Sequence, residues 1–237
     1  MSALGVLAGG FIGLGAMFFL LVASDASLSF SIQRILGGVV FSLGLILVVV
    51  AGAELFTGNN LMVMAWVSRK ITVSRLLRNL VIVYFTNFIG AAGLAFVVEA
   101  SGHLSMNDGA VGDAAIRIAE GKLNLPFHEA FLKGVLCNVL VCLAVWLAMA
   151  GRSVVDKVAA IIFPITAFVA AGFEHSVAND YFIPLAIFHG AELSWADFWL
   201  KNLLPVTLGN LAGGAGMVGL IYWIIYRRPS KKSTLNQ

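Results

Sequence analysis

Two of the long apolar runs in this chain stop partway, and they stop in the same manner. The run from Ile35 to Ala53 ends in Gly52-Ala53-Glu54-Leu55-Phe56-Thr57-Gly58-Asn59-Asn60 and resumes through Trp66. A second run, after Lys157, ends in Gly172-Phe173-Glu174-His175-Ser176-Val177-Ala178-Asn179-Asp180 and resumes as Tyr181 to Phe188. An interruption frees backbone N–H and C=O groups that hydrocarbon cannot satisfy, so it persists only when buried in protein or lining a polar cavity. That argument presupposes a membrane, and the composition requires one: 60% of residues are hydrophobic and 11% charged, against about 25% charged in a soluble domain. With 5 Pro, 2 Cys and 25 Gly lacking a triplet period, disorder, a collagen-like fibre and a disulfide-stapled scaffold are excluded. Cys137 and Cys142 lie in an apolar stretch without Cys or His at ligand spacing, so they read as packing, and neither metal nor cofactor is expected.

A helix crosses about 30 Å of hydrocarbon with about 20 apolar residues. Long apolar runs with few or no charges predict six crossings: Ser2 to Ser24, Ile35 to Ala53, Asn79 to Val98, Gly134 to Gly151 beginning near Phe127, the run after Lys157, and Phe198 to Tyr226. The first run lacks a basic start and is too long for a cleaved signal peptide. Its Gly5, Gly9 and Gly13 predict a smooth face for close helix contact. Ten of the 15 basic residues, namely Arg69, Lys70, Arg75, Arg78, Arg152, Lys157, Arg227, Arg228, Lys231 and Lys232, fall on one side of this arrangement. The excess of Lys and Arg marks the cytoplasmic side, so both termini are expected there. Lys122 and Arg117 then face outward, and the positive charge is a topology signal with no nucleic-acid partner implied.

Three spans per half make the two halves inverted repeats, over 1–100 and 127–226, joined by an external loop at 101–126 and followed by a cytoplasmic tail at 227–237. In each half the middle span, the second and the fifth, is the broken one. Both breaks carry a Glu, then Thr or Ser, then Asn: Glu54, Thr57, Asn59 and Glu174, Ser176, Asn179. Paired interrupted segments are the sequence pointer to a transport site near the midplane, and half-helix N-termini aimed there favour an anion. A carboxylate in such a path would repel it, so Glu54 and Glu174 read as structural groups accepting N–H donors freed by the breaks.

Four strings now carry a resemblance: Gly52-Ala53-Glu54-Leu55-Phe56-Thr57-Gly58-Asn59, Leu136-Cys137-Asn138-Val139-Leu140-Val141-Cys142-Leu143-Ala144-Val145-Trp146, Gly172-Phe173-Glu174-His175-Ser176-Val177-Ala178-Asn179 and Leu204-Pro205-Val206-Thr207-Leu208-Gly209-Asn210. In order and across both halves, they resemble the formate/nitrite transporter family. The resemblance implies an all-α, aquaporin-like protomer with six transmembrane helices, assembled as a homopentamer in a bacterial-type cytoplasmic (inner) membrane, with a pore in each subunit. It implies passage of formate, nitrite or hydrosulfide, with the Phe-Glu-His-Ser and Leu-Pro-Val-Thr strings leaning toward formate. By the same resemblance His175 faces Thr57 at the pore centre, with Asn138 and Asn210 beside them, and Lys122 stands in the outer vestibule. Constrictions fall on Phe41 and Phe168 outside and on Leu45, Leu55 and Phe56 inside. The family's cytoplasmic N-terminal helix is nearly absent from this sequence.

A bare anion between Phe and Leu side chains loses hydration at a Born cost of tens of kcal/mol, so His175 is expected to lend a proton or a strong hydrogen bond on the way. Read from residues alone, Asn138 serves equally as a bridge between helices and Thr57 as a helix cap. An aquaporin-like channel for neutral solutes would share the paired breaks but needs an Asn-Pro-Ala pair, which is missing. An intramembrane enzyme is excluded on motifs: no Gly-x-Ser-x-Gly or His-Glu-x-x-His occurs.

Overall fold

The computed structural model describes residues 1–226; the tail expected at 227–237 lies outside the described residues. The chain is helical, and among the described residues there is no strand. Helix α1 (Ser2–Ala23) is followed by α2 (Phe30–Ala51). After the first break come α3 (Phe56–Asn59), a 3₁₀ turn over Asn60–Met62, and α4 (Val63–Val67). Then follow α5 (Val73–Ala100), α6 (Ala110–Leu123), α7 (Phe127–Ala150) and α8 (Val154–Ala171). After the second break α9 covers Ser176–Phe188. The last crossing comprises α10 (Trp195–Asp197), a π-helical stretch Phe198–Leu203, α11 (Leu204–Leu211), a second π-helical stretch Ala212–Leu220, and α12 (Ile221–Tyr226). Among the described residues six segments are long and apolar enough to cross a membrane, and they coincide with the six predicted runs.

The halves repeat one arrangement with inverted polarity. In the first, α1 packs between α2 and α5; in the second, α7 packs between α8 and α11, and α2 meets α8 across the pseudo-axis. The glycine face of α1 works as its spacing predicts: a methyl group at Gly9 would overlap the carbonyl of Asn87, and one at Gly90 the carbonyl of Val6. The second half repeats the contact, since methyl groups at Gly209 and Gly213 would overlap the carbonyls of Phe131 and Val135. Such close backbone approach is how helices associate where lipid removes the hydrophobic drive. Gly52 and Gly172 end α2 and α8 in the left-handed region, at φ 72° and 73°, a conformation glycine adopts without Cβ strain.

The segment 101–126 corrects the sequence reading. It is largely the helix α6, whose Val111, Ala114, Ala115 and Ala119 are buried against α9 and α1. Its Asp113, Arg117 and Glu120 lie on the exposed side, and these charges disguise a helix with a narrow small-residue stripe as a polar loop.

Candidate functional site

Each break leaves the first N–H groups of a half-helix without intrahelical acceptors. The expected acceptors were Glu54 and Glu174; the structure uses two asparagines instead. Asn87 on α5 accepts from Phe56 N at 2.8 Å with Oδ1, while its Nδ2 donates to Gly5 O at 2.7 Å and Glu54 O at 2.9 Å. Asn210 on α11 repeats this, accepting from Ser176 N at 3.0 Å and donating to Gly134 O at 2.8 Å and Glu174 O at 3.0 Å. Each amide thus ties the extended strap to its own half's first and third spans. The reason is charge: a neutral amide both donates and accepts inside the bundle, whereas a carboxylate only accepts and brings a charge that must be compensated.

The glutamates are bound by side chains. Glu174 accepts from Asn179 Nδ2 at 2.8 Å, and Asn179 also donates to Asn202 Oδ1 at 2.7 Å. Glu54 accepts from Asn59 Nδ2, which donates to Asn79 Oδ1 at 2.9 Å. Glu174 further takes Lys122 Nζ on both oxygens, at 3.0 and 3.1 Å. Lys122 therefore projects from the last turn of α6, not from a loop, into the cavity on that face, and pairs there with Glu174. Glu54 has no ion-pair partner among the described residues.

Three cavities follow one another through the protomer. A cavity of about 250 Å³ on the α6 face is lined by Arg34, Arg117, Lys122, Lys133, Glu174 and His175, among others, and ends at Phe41 and Phe168. A cavity of about 520 Å³ on the face bearing the N-terminus is lined by Glu54, Asn59 and Lys157 and ends at Leu45 and Leu55. Between them is a space of about 10 Å³ bounded by Ile12, Phe41, Leu45, Leu55, Val141, Ile165, Phe168 and His175. One water needs about 10–15 Å³ of such volume, so a hydrated ion does not fit the neck. Phe41 and Phe168 meet edge to face at 5.7 Å, and Phe168 stacks on the imidazole of His175 at 6.0 Å.

Among the described residues His175 is the one polar side chain lining this neck, and Thr57, expected beside it, lines none of the three cavities. His175 sits at the N-cap of α9, where Nδ1 accepts Ala178 N–H at 3.1 Å, and its Nε2 is 2.9 Å from Thr57 Oγ1 on α3. An acceptor Nδ1 assigns the proton of the neutral ring to Nε2, which then donates toward Thr57. Both half-helices thus deliver one group each to a single hydrogen bond, and Thr57 makes no side-chain cap on α3.

Four expectations are relocated. Phe56 is buried edge to face on Tyr84, away from the three cavities, because it is the first residue of α3 and turns toward α5. Asn138 is fully buried and donates to Asn210 O at 2.6 Å, bridging α7 and α11. Asn210 braces the break without lining a cavity. Glu54 lines one vestibule, with Asn59, and Glu174 the other, whereas the sequence reading keeps both glutamates out of the path. Sequence reasoning missed Asn87, Arg34 and the neck residues Ile12, Val141 and Ile165. An Asn in the middle of the apolar run 79–98 was the available signal for Asn87. Arg34 donates to the carbonyls of Ala170 and Val169 at 2.8 and 3.1 Å, compensating the C-terminal end of α8.

Comparison with known proteins supplies the context for this geometry. The family model described as formate/nitrite transporter matches residues 1–224. The formate channel FocA of Escherichia coli K12 is 38% identical, with 95% of this chain and 86% of that protein covered. The formate channel BtFdhC of Bacillus thuringiensis is 42% identical, with 96% and 87% covered. A solved pentameric formate channel with formate bound superposes with a TM-score of 0.88 at 40% identity, covering 95% of this chain and 96% of the other.

Proposed function

The chain belongs to the formate/nitrite transporter family, and from that premise we propose that it conducts formate through a passage within each protomer of a homopentamer. The observation that carries this reading is His175, bonded to Thr57, at an apolar neck of about 10 Å³ between vestibules of about 250 and 520 Å³. The relatives named above are channels, which accords with a protein that turns over no substrate. Arginine and lysine placement supports an orientation with the α6 face outward and both termini in the cytoplasm of a bacterial-type cell.

The passage then works by lowering one barrier. Four cations, Arg34, Arg117, Lys122 and Lys133, stand against the single carboxylate Glu174 around the α6-side cavity, so a small anion concentrates there. The Lys122–Glu174 pair keeps that carboxylate from repelling it. At the neck the anion must shed water among Phe and aliphatic side chains, and tens of kcal/mol of Born cost forbid a bare charge. His175, whose Nε2–H is oriented by the Thr57 hydroxyl, supplies the donor at that point, and formate crosses close to its neutral acid, with His175 as donor or relay. Loss of this donor in His175→Phe or His175→Asn should depress formate uptake by proteoliposomes and flatten its pH dependence. Unchanged rate and pH dependence in both variants would end the proposal.

Nitrite and hydrosulfide are the second reading, because the neck recognises small weak-acid anions by size and proton affinity more than by shape. A competition series of formate, nitrite and hydrosulfide at two pH values ranks them, and formate should compete best. Particle mass in detergent tests the pentamer.

A further inference from the structure

Asp180 is the acidic side chain for which the transport reading has no use. It is buried at 1% exposure, and neither of its carboxylate oxygens has a hydrogen-bond partner. Among the described residues no Lys, Arg or His forms an ion pair with it. The surroundings offer no compensating charge. Helices α1, α3 and α11, which touch α9, contain no ionisable side chain. Helix α5 contributes Tyr84 along its middle, with its hydroxyl 3.2 Å from Thr207 Oγ1, and keeps Arg75, Arg78 and Glu99 at its ends. Lys122 of α6 is held by Glu174, while Asp113, Arg117 and Glu120 are exposed. Lys201 of the π-helical stretch is exposed and paired with Asp197. On α9 itself the neighbours are Tyr181, whose hydroxyl is unpartnered, and Asn179. An ionised carboxylate has no place in such a pocket.

The other break holds the key to what the group does. Asn60 occupies the matching position, directly after Asn59 as Asp180 follows Asn179, and it is equally buried. Its Nδ2 donates to Phe56 O and Thr57 O, both at 3.1 Å, clasping the first turn of the half-helix. A carboxylate cannot donate; a carboxylic acid can. We propose that Asp180 is a proton-binding site, permanently neutral, whose acid O–H donates to the carbonyl of Ser176 or Val177 as the amide of Asn60 does on the opposite half-helix. The consequence reaches the neck. Asp180 lies five residues beyond His175, roughly 7.5 Å along the helix axis, so its proton removes a fixed negative charge from the element that presents the imidazole to an anion. Asp180 is a positioning residue, distinct from the His175–Thr57 pair, and its proton does not move during transport.

The test uses the full-length purified protein and does not depend on which anion is carried. Infrared difference spectra of wild type against Asp180→Asn should contain a protonated-carboxyl C=O band that shifts in D₂O and persists from acid to alkaline buffer. A group whose proton affinity is raised by folding loses its stabilising contribution as pH rises. The melting temperature of Asp180→Asn should therefore exceed that of wild type by a margin that widens toward alkaline pH, while uptake and its pH profile stay at the wild-type level. Asp180→Ala, lacking the donor, should melt below Asp180→Asn throughout. Absence of the band, a margin independent of pH, or an Asp180→Asn protein that fails to assemble or conduct would each overturn the assignment.

Discussion

The two helix breaks are built on one scaffold and present different chemistry to the passage. In each, a left-handed glycine ends the incoming helix, a buried asparagine on the third span of that half takes the first N–H of the half-helix, and a Glu–Asn pair closes the strap. At the residue after the glutamate they part: Leu55 in the first break, His175 in the second. Two places further on, Thr57 faces Val177 in the alignment of the breaks. Among the described residues a cation joins only the second glutamate. The comparison teaches that the repeated part supplies mechanical support for interrupted backbone, and that the proposed function rests on the few positions where the copies have diverged.

Removing the shared brace should cost the most. Asn87→Ala and Asn210→Ala each strip three hydrogen bonds, and at about 1–3 kcal/mol for each orphaned buried group each should lower stability by roughly 3–9 kcal/mol. Thermal melting in detergent checks this, and a large difference between the two variants would break the equivalence of the scaffolds. Next comes Lys122→Met, which leaves Glu174 buried and unpaired at a cost of about 3–5 kcal/mol. Its counterpart Lys157→Met lines a cavity without an ion pair to Glu54 and should cost under about 1 kcal/mol. Addition of Glu174→Gln to Lys122→Met should recover most of the loss in a double-mutant cycle.

Making the second break resemble the first at the neck tests the divergent chemistry. His175→Leu copies Leu55 and should lower formate flux at least about tenfold, the scale of losing a preorganised donor, with melting changed far less than by the asparagine variants. Flux equal to wild type in reconstituted vesicles would remove His175 from the mechanism. The smallest effect is expected from Thr57→Val, which copies Val177 and deletes one hydrogen bond worth about 1 kcal/mol, so flux should fall severalfold at most.

The six crossings, their breaks and the positions of Glu54 and Glu174 were legible because each is a local excess or deficit of apolar character along the chain. The roles of Asn87 and Asn210 were not, since their carbonyl partners Gly5 and Gly134 lie 82 and 76 residues away. Ile12, Val141 and Ile165 carry no signal at all, being aliphatic residues in aliphatic spans that happen to converge on the neck. Helix α6 was hidden by its charged exposed face, and with it the reach of Lys122 to Glu174. Residue type alone put Phe56 in the constriction; only the direction in which α3 turns sends its ring to Tyr84.

By itself the sequence determined that this chain lies in a membrane, crosses it six times and breaks twice in matching places, because hydrocarbon taxes every uncompensated polar group and so writes spans and breaks directly into composition. Which asparagine holds which strap, which carboxylate is neutralised and by what, and which side chains close the neck were decided by tertiary structure. Those outcomes depend on distances between helices far apart in the chain, and a hydrogen bond or an ion pair exists only within a few ångströms.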